Sequence, residues 1–75
     1  MEGLLTQRGQ FKRTLAATPR GKYYIAHVDL NALGGGVRPS RDMTEQELRY
    51  ELRQEGYSDD VIDAALEAAR AALKA

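Results

Sequence analysis

His27 and Asp29 stand two residues apart, a spacing that projects both side chains from one face of an extended strand and sets an imidazole beside a carboxylate. That is the pairing of a general base with its orienting group. His27 is the only histidine, however, and the chain has no cysteine, so no second imidazole or thiolate completes a zinc site. No nucleophile or second acid–base group falls beside it either, and the better expectation is a strand histidine at or near the surface. Asp59 and Asp60 are a second candidate, for a cation. An EF-hand loop requires oxygen ligands at alternating positions and a closing Glu, which this stretch lacks, whereas the first turn of a helix favours acidic residues through its dipole. The glycines of "GGGVRPS", Gly34 to Ser40, are not followed by the Lys-Ser/Thr of a phosphate-binding loop, so they read as a flexible connector. No catalytic residue, cofactor site or metal site is expected, and the chain is not expected to be an enzyme.

One cluster carries a positive chemical argument. Arg8, Lys12, Arg13, Arg20 and Lys22 surround Phe11, Tyr23 and Tyr24. Cations of this kind neutralise phosphates, and exposed rings stack on unpaired bases. The bland reading of the same residues is aromatic core beneath a solvated basic face, or a basic segment folded onto acidic helices. Arg13, Arg20, Lys22 and Tyr23 are the expected partner-binding residues, because strand edges and turn tips are exposed templates for association.

The elements that must hold this cluster are legible from alternation. Phe11 to Ala17 sets Phe11, Arg13, Leu15 and Ala17 against Lys12, Thr14 and Ala16; Tyr23 to Leu30 sets Tyr24, Ala26, Val28 and Leu30 against Tyr23, Ile25, His27 and Asp29. Between them "TPRG", Thr18 to Gly21, has the Pro and Gly of a type I turn, so a β-hairpin is expected. A helical alternative exists, since Leu4, Arg8, Phe11 and Leu15 also fit a helical spacing, although Gly9 weakens it.

The C-terminal half is helical. Thr44 with Glu47 makes a capping box, and Met43 with Leu48 a hydrophobic staple, so a helix starts at Thr44. Gly56 ends it, because a helix C-terminus commonly needs a residue at positive φ. Ser58 caps a second helix, whose Val61, Ile62, Ala65, Leu66, Ala69, Ala72 and Leu73 recur on one face. Too few residues separate the two for anything but a tight corner, and a helical hairpin results.

"LRYELRQEGYSDDVIDAAL", Leu48 to Leu66, resembles one helical repeat of the RecX recombination regulators, in which a helix ending in Gly leads into a capped helix. It is similar, more loosely, to the helix-loop-helix of ubiquitin-associated domains. RecX proteins contain several three-helix units and act by binding a recombinase filament; the resemblance therefore implies a protein partner.

At 75 residues the chain holds one domain at most, with a thin core and no disulfide to staple it. No stretch approaches the roughly 20 apolar residues of a bilayer span, and a cytoplasmic location without membrane contact is expected. The net charge of zero hides an asymmetry: residues 1–41 hold seven basic and two acidic side chains, residues 42–75 four and nine. The expected fold is α+β, an N-terminal β-hairpin packed on a C-terminal helical hairpin. It divides into a basic hairpin region (1–33), a Gly-rich linker (34–41) and the helical hairpin (42–75), with Tyr24, Val28, Leu30, Leu48, Leu52, Ile62, Leu66 and Leu73 in the core. The expected role is a non-enzymatic protein-binding accessory or regulatory module that occupies a partner's surface. The alternative is a small nucleic-acid-binding regulator using the basic aromatic hairpin, and homodimerisation is possible for so thin a core.

Overall fold

Alternating residues and glycine turns in the first half, and capped amphipathic runs in the second, build an α+β unit. In the computed structural model, which describes residues 3–32 and 36–75, four antiparallel strands in chain order precede two helices. The strands are β1 (Gly3–Arg8), β2 (Phe11–Ala17), β3 (Tyr23–Asp29) and β4 (Gly36–Pro39); the helices are α1 (Glu45–Gln54) and α2 (Asp59–Lys74).

The expected hairpin is β2–β3, in the register Phe11 to Asp29, Arg13 to His27 and Leu15 to Ile25. Its turn closes through the Gly21 N–H donating to the Thr18 carbonyl (3.1 Å) and the Thr18 N–H to the Lys22 carbonyl (2.8 Å). Two strands that the alternation did not single out widen it into a sheet. β1 overturns the helical alternative for Leu4 to Leu15: Arg8 pairs with Phe11, leaving Gly9 and Gln10 as a two-residue loop. Gly9 has φ +57° and Gln10 does not have positive φ, the pattern of a type II′ turn, whose twist suits a hairpin. β4 occupies Gly36 to Pro39, where a linker was expected, and pairs Val37 with Val28 and Arg38 with His27. It is a short edge strand, a setting in a sheet that tolerates Pro39. Gly34 and Gly35 lie outside the described residues.

Both helix starts are as the caps imply. The Thr44 hydroxyl accepts from the Glu47 N–H (3.2 Å), and the Glu47 carboxylate accepts from the Thr44 N–H (2.9 Å). At the other end of α1, Gly56 has φ +96°; its N–H reaches the Arg53 carbonyl and the Tyr57 N–H reaches the Leu52 carbonyl, each at 3.0 Å. This is a Schellman closure, which satisfies carbonyls the helix end would otherwise leave orphaned. The Ser58 hydroxyl then caps α2 by accepting from the Val61 N–H (3.3 Å).

α2 lies across β1 and β2, and α1 lies against β3 and α2, so both helices cover one face of the sheet. A Cβ on Gly3 would come within 2.6 Å of the Ala65 carbonyl oxygen, so α2 approaches β1 at a distance that only glycine permits there. The buried Ala65 and Ala69 on α2 serve the same close packing. Leu48, Leu52, Ile62 and Leu66 are buried as expected, joined by Leu5, Leu15, Tyr23, Ile25 and Met43.

The sheet side of the expected core is corrected. Tyr23 and Ile25, not Tyr24, Val28 and Leu30, point at the helices; Tyr24 and Val28 are half-buried on the opposite face, and Leu30 is 53% exposed. Leu73, near the end of α2, is 45% exposed. Both faces of β3 are apolar, so alternation alone does not decide which one the helices cover. Register does: Leu15 opposes Ile25, and the two make a continuous apolar floor beneath α1 and α2.

Candidate functional site

The helices leave part of the sheet face uncovered at the corner between them. At the corner between them, Glu55, Gly56 and Tyr57 overhang the sheet, and beyond the corner the face opens as a groove. Two cross-strand rows form its floor. The first runs Thr6, Arg13, His27, Arg38 across all four strands, and the second Arg8, Phe11, Asp29, Gly36. On the groove face three basic side chains, Arg8, Arg13 and Arg38, stand against two acidic ones, Asp29 and Glu55.

Arg13 builds the back wall. Its guanidinium pairs with Glu55 (Nη1 to Oε1 2.9 Å), donates to the Tyr57 hydroxyl (3.1 Å) and sits 5.9 Å from the centre of that ring. The Tyr57 hydroxyl in turn donates to Thr6 Oγ1 (3.4 Å), so β1, β2 and the helical corner are tied together. Burial alone would lower the Arg13 pKa, but the hydrogen bonds and charge of Glu55 and Tyr57 outweigh it and hold the group above its ordinary value. Arg13 is therefore a fixed cation. Its Nε is buried with no hydrogen-bond partner among the described residues.

Further out the groove is less self-contained. Arg8, His27 and Arg38 have no ion-pair partner among the described residues, and His27 sits between Arg13 and Arg38 in the first row. Asp29 Oδ1 accepts from the Asn31 N–H (3.1 Å), which occupies one of its oxygens. Phe11, 60% exposed, adds apolar surface at the mouth. Such an arrangement can hold an extended acidic segment with apolar side chains, by charge and contact.

The four residues expected at a binding surface do not converge. Arg13 is at the groove, committed to Glu55 and Tyr57. Arg20 and Lys22 are exposed at the β2–β3 turn, at the other end of the sheet. Tyr23 is 7% exposed, beneath α2: its hydroxyl accepts from Arg70 Nε (2.9 Å), and its backbone exchanges hydrogen bonds with Met43 at 2.7 and 2.8 Å. His27 and Asp29 do share one face, as their spacing implies. Sequence reasoning missed Arg38, because a connector has no face; the only signal was the Val37-Arg38-Pro39 alternation after the glycines.

The charge asymmetry resolves in part into contacts between the halves. Arg13 reaches Glu55, and Arg41 reaches Glu47 and Glu51. The helical half also satisfies its own acids, through Arg49 with Glu45 and Asp63, Arg53 with Asp59, and Arg70 with Glu45. Arg8 and Arg38 at the groove, and Arg20 and Lys22 at the β2–β3 turn, have no ion-pair partner among the described residues. Among the described residues, no cluster of three or more His, Cys, Asp or Glu side chains is placed to hold a metal ion, and no helix is long and apolar enough to cross a membrane.

No curated protein and no solved structure matches the chain. A family model does match part of it: residues 40–67 correspond to RecX, first three-helix domain. That segment holds all of α1, the Gly56 corner and α2 as far as Glu67, and it stops short of the sheet. The helical corner that walls the groove is therefore similar to the opening unit of a RecX regulator, while the four strands that floor it lie outside that similarity.

Proposed function

We propose that this chain is a non-enzymatic, protein-binding accessory or regulatory module, and that its partner lays an acidic, partly apolar segment in the groove below the α1–α2 corner. The observation that carries this reading is that Arg8 and Arg38, both exposed and without an ion-pair partner among the described residues, stand in adjoining cross-strand rows with His27 and the exposed Phe11. The RecX similarity of residues 40–67 supports a regulatory role exercised through protein contact, with a recombinase filament as the first partner to test. Arg20 and Lys22 are a second contact, at the β2–β3 turn. Arg13 and Tyr23 hold the surface in shape, one by anchoring the corner and the other by seating β3 beneath α2.

The test is a titration of the isotope-labelled chain with an Asp/Glu-rich peptide and, separately, with a purified recombinase filament. The Arg8→Glu/Arg38→Glu double variant should bind either probe about tenfold or more weakly, the equivalent of about 1.4 kcal/mol. Backbone amide shifts should move at Arg8, His27 and Arg38. Binding unchanged by the double variant, or shifts confined to other surfaces, rejects the groove as the site.

One observation favours a second reading. Phe11 presents an exposed ring directly opposite Arg8, the combination that stacks a base and neutralises its phosphate. Nucleic-acid binding would fall steeply with salt, in proportion to the phosphates contacted. A single-stranded oligonucleotide that fails to bind at low salt removes this reading and leaves the first intact.

A further inference from the structure

The two rows on the groove floor are not equally open. The first is closed at its β1 end, where the Tyr57 hydroxyl donates to Thr6 and accepts from Arg13. The second is closed at its β4 end: a Cβ on Gly36 would come within 2.5 Å of the Ala32 Cβ, so Ala32 already stands where a side chain would rise. Burial follows the same division. Thr6, Arg13, Asp29 and Gly36 are half-buried, whereas Arg8, Phe11, His27 and Arg38 are exposed. These last four, one from each strand, make a diagonal from Arg8 on β1 through Phe11 and His27 to Arg38 on β4. At each end stands a cation with no ion-pair partner among the described residues, and an exposed aromatic ring lies between them.

We propose, resting on the reading that the groove takes an acidic segment of a partner protein, that this segment is extended, lies along the diagonal and carries the pattern acid-x-apolar-x-acid. The length follows from strand geometry. Strands about 4.8 Å apart put β1 and β4 about 14 Å from each other, and the two-residue step between the rows adds about 7 Å along the strands. Arg8 and Arg38 are therefore about 16 Å apart at the backbone. Five extended residues set their first and fifth side chains about 13 Å apart and on one side of the chain, together with the third. Two exposed arginines leaning inward span the difference, and each can take a carboxylate by two parallel hydrogen bonds. A helix, rising about 1.5 Å per residue, would need its acids about eleven residues apart to reach both. The middle of the span falls between Phe11 and His27, beside Asp29. Asp29 disfavours a third acid there, and Phe11, 60% exposed, favours an apolar side chain. Arg13 is already paired with Glu55 and adds no third cation.

Three labelled peptides of equal charge, titrated with the full chain and followed by fluorescence anisotropy, test this. The first holds two Glu residues four positions apart with Leu midway, in a Gly/Ser background. The second has the same composition, with the two Glu residues adjacent and Leu at one end. The third is an Ala-rich helix former with its two Glu residues eleven positions apart. The wild type should bind the first about tenfold more tightly than either of the others. Arg8→Glu and Arg38→Glu should each remove that preference with circular dichroism unchanged, and a first peptide with Lys in place of one Glu should restore binding to either variant. If the first and second peptides bind equally and both variants weaken both, the acidic-segment reading stands and the diagonal spacing is overturned. Tightest binding of the helix former overturns the extended form. Binding of none of the three at millimolar concentration, or binding that neither variant alters, removes the groove as the site and this proposal with it.

Discussion

Replacing Gly56 with alanine isolates the cost of turning the chain at the helical corner. A Cβ at Gly56 would meet no atom within 4 Å, so the substitution adds no steric clash with the rest of the fold. The cost is backbone strain alone. Gly56 has φ +96°, well beyond the left-handed helical minimum near +57°, where a residue with a Cβ loses about 1–2 kcal/mol. Alanine also restricts the unfolded chain, which returns about 0.4–1 kcal/mol to the folded state. The net loss is therefore about 1 kcal/mol, which lowers the Tm of a domain this size by about 4–8 °C. Thermal melts followed by circular dichroism at 222 nm measure it. Gly56→Asn should recover part of the loss, because Asn enters positive φ more readily than Ala. A Gly56→Ala variant that melts with the wild type would refute the reasoning, since it would show that the corner does not depend on a left-handed residue.

Ile62 is fully buried where α2 meets the rest of the core, so Ile62→Ala should cost about 2–5 kcal/mol, much of the stability of a domain this small. Its neighbour Val61 is 39% exposed, and Val61→Ala should stay within about 0.5 kcal/mol of the wild type in a urea titration. Equal effects at the two positions would contradict the assigned face of α2. The backbone N–H of Thr44, and then its hydroxyl, hold the Glu47 carboxyl below its ordinary value. Its folded pKa thus lies below the unfolded one. The stability it contributes is complete above the unfolded value of about 4.3 and is lost as pH falls through the folded value. Glu47→Gln keeps an acceptor for the Thr44 N–H but does not titrate, so its stability should fall less than that of the wild type between pH 7 and pH 3. Parallel curves would show that this group is not coupled to folding.

The helical half was legible because its signals are local. Thr44 with Glu47, Gly56, and Ser58 with the two aspartates each act within one turn of backbone, and each does in the fold what its chemistry implies. The β2–β3 hairpin was legible for the same reason, its turn and both alternations lying within 19 consecutive residues, 11 to 29. β1 and β4 were not. β1 takes its meaning from Leu15 and from the approach of Ala65 to Gly3, and β4 from Val28 and His27, all partners distant in the chain. The same limit explains the reversed face of β3. With apolar residues on both sides, its own sequence is indifferent to which side is inside, and the choice falls to the register that sets Ile25 beside Leu15 beneath the helices. The groove is wholly a product of that assembly. Arg13, His27 and Arg38 are 14 and 11 residues apart in the chain, and only the pairing of β2, β3 and β4 draws them into one row. Local backbone chemistry thus determined where the two helices and the β2–β3 hairpin begin and end, whereas long-range pairing decided which side chains share a surface, because a cross-strand neighbour is chosen by the partner strand and not by the residue's own sequence context.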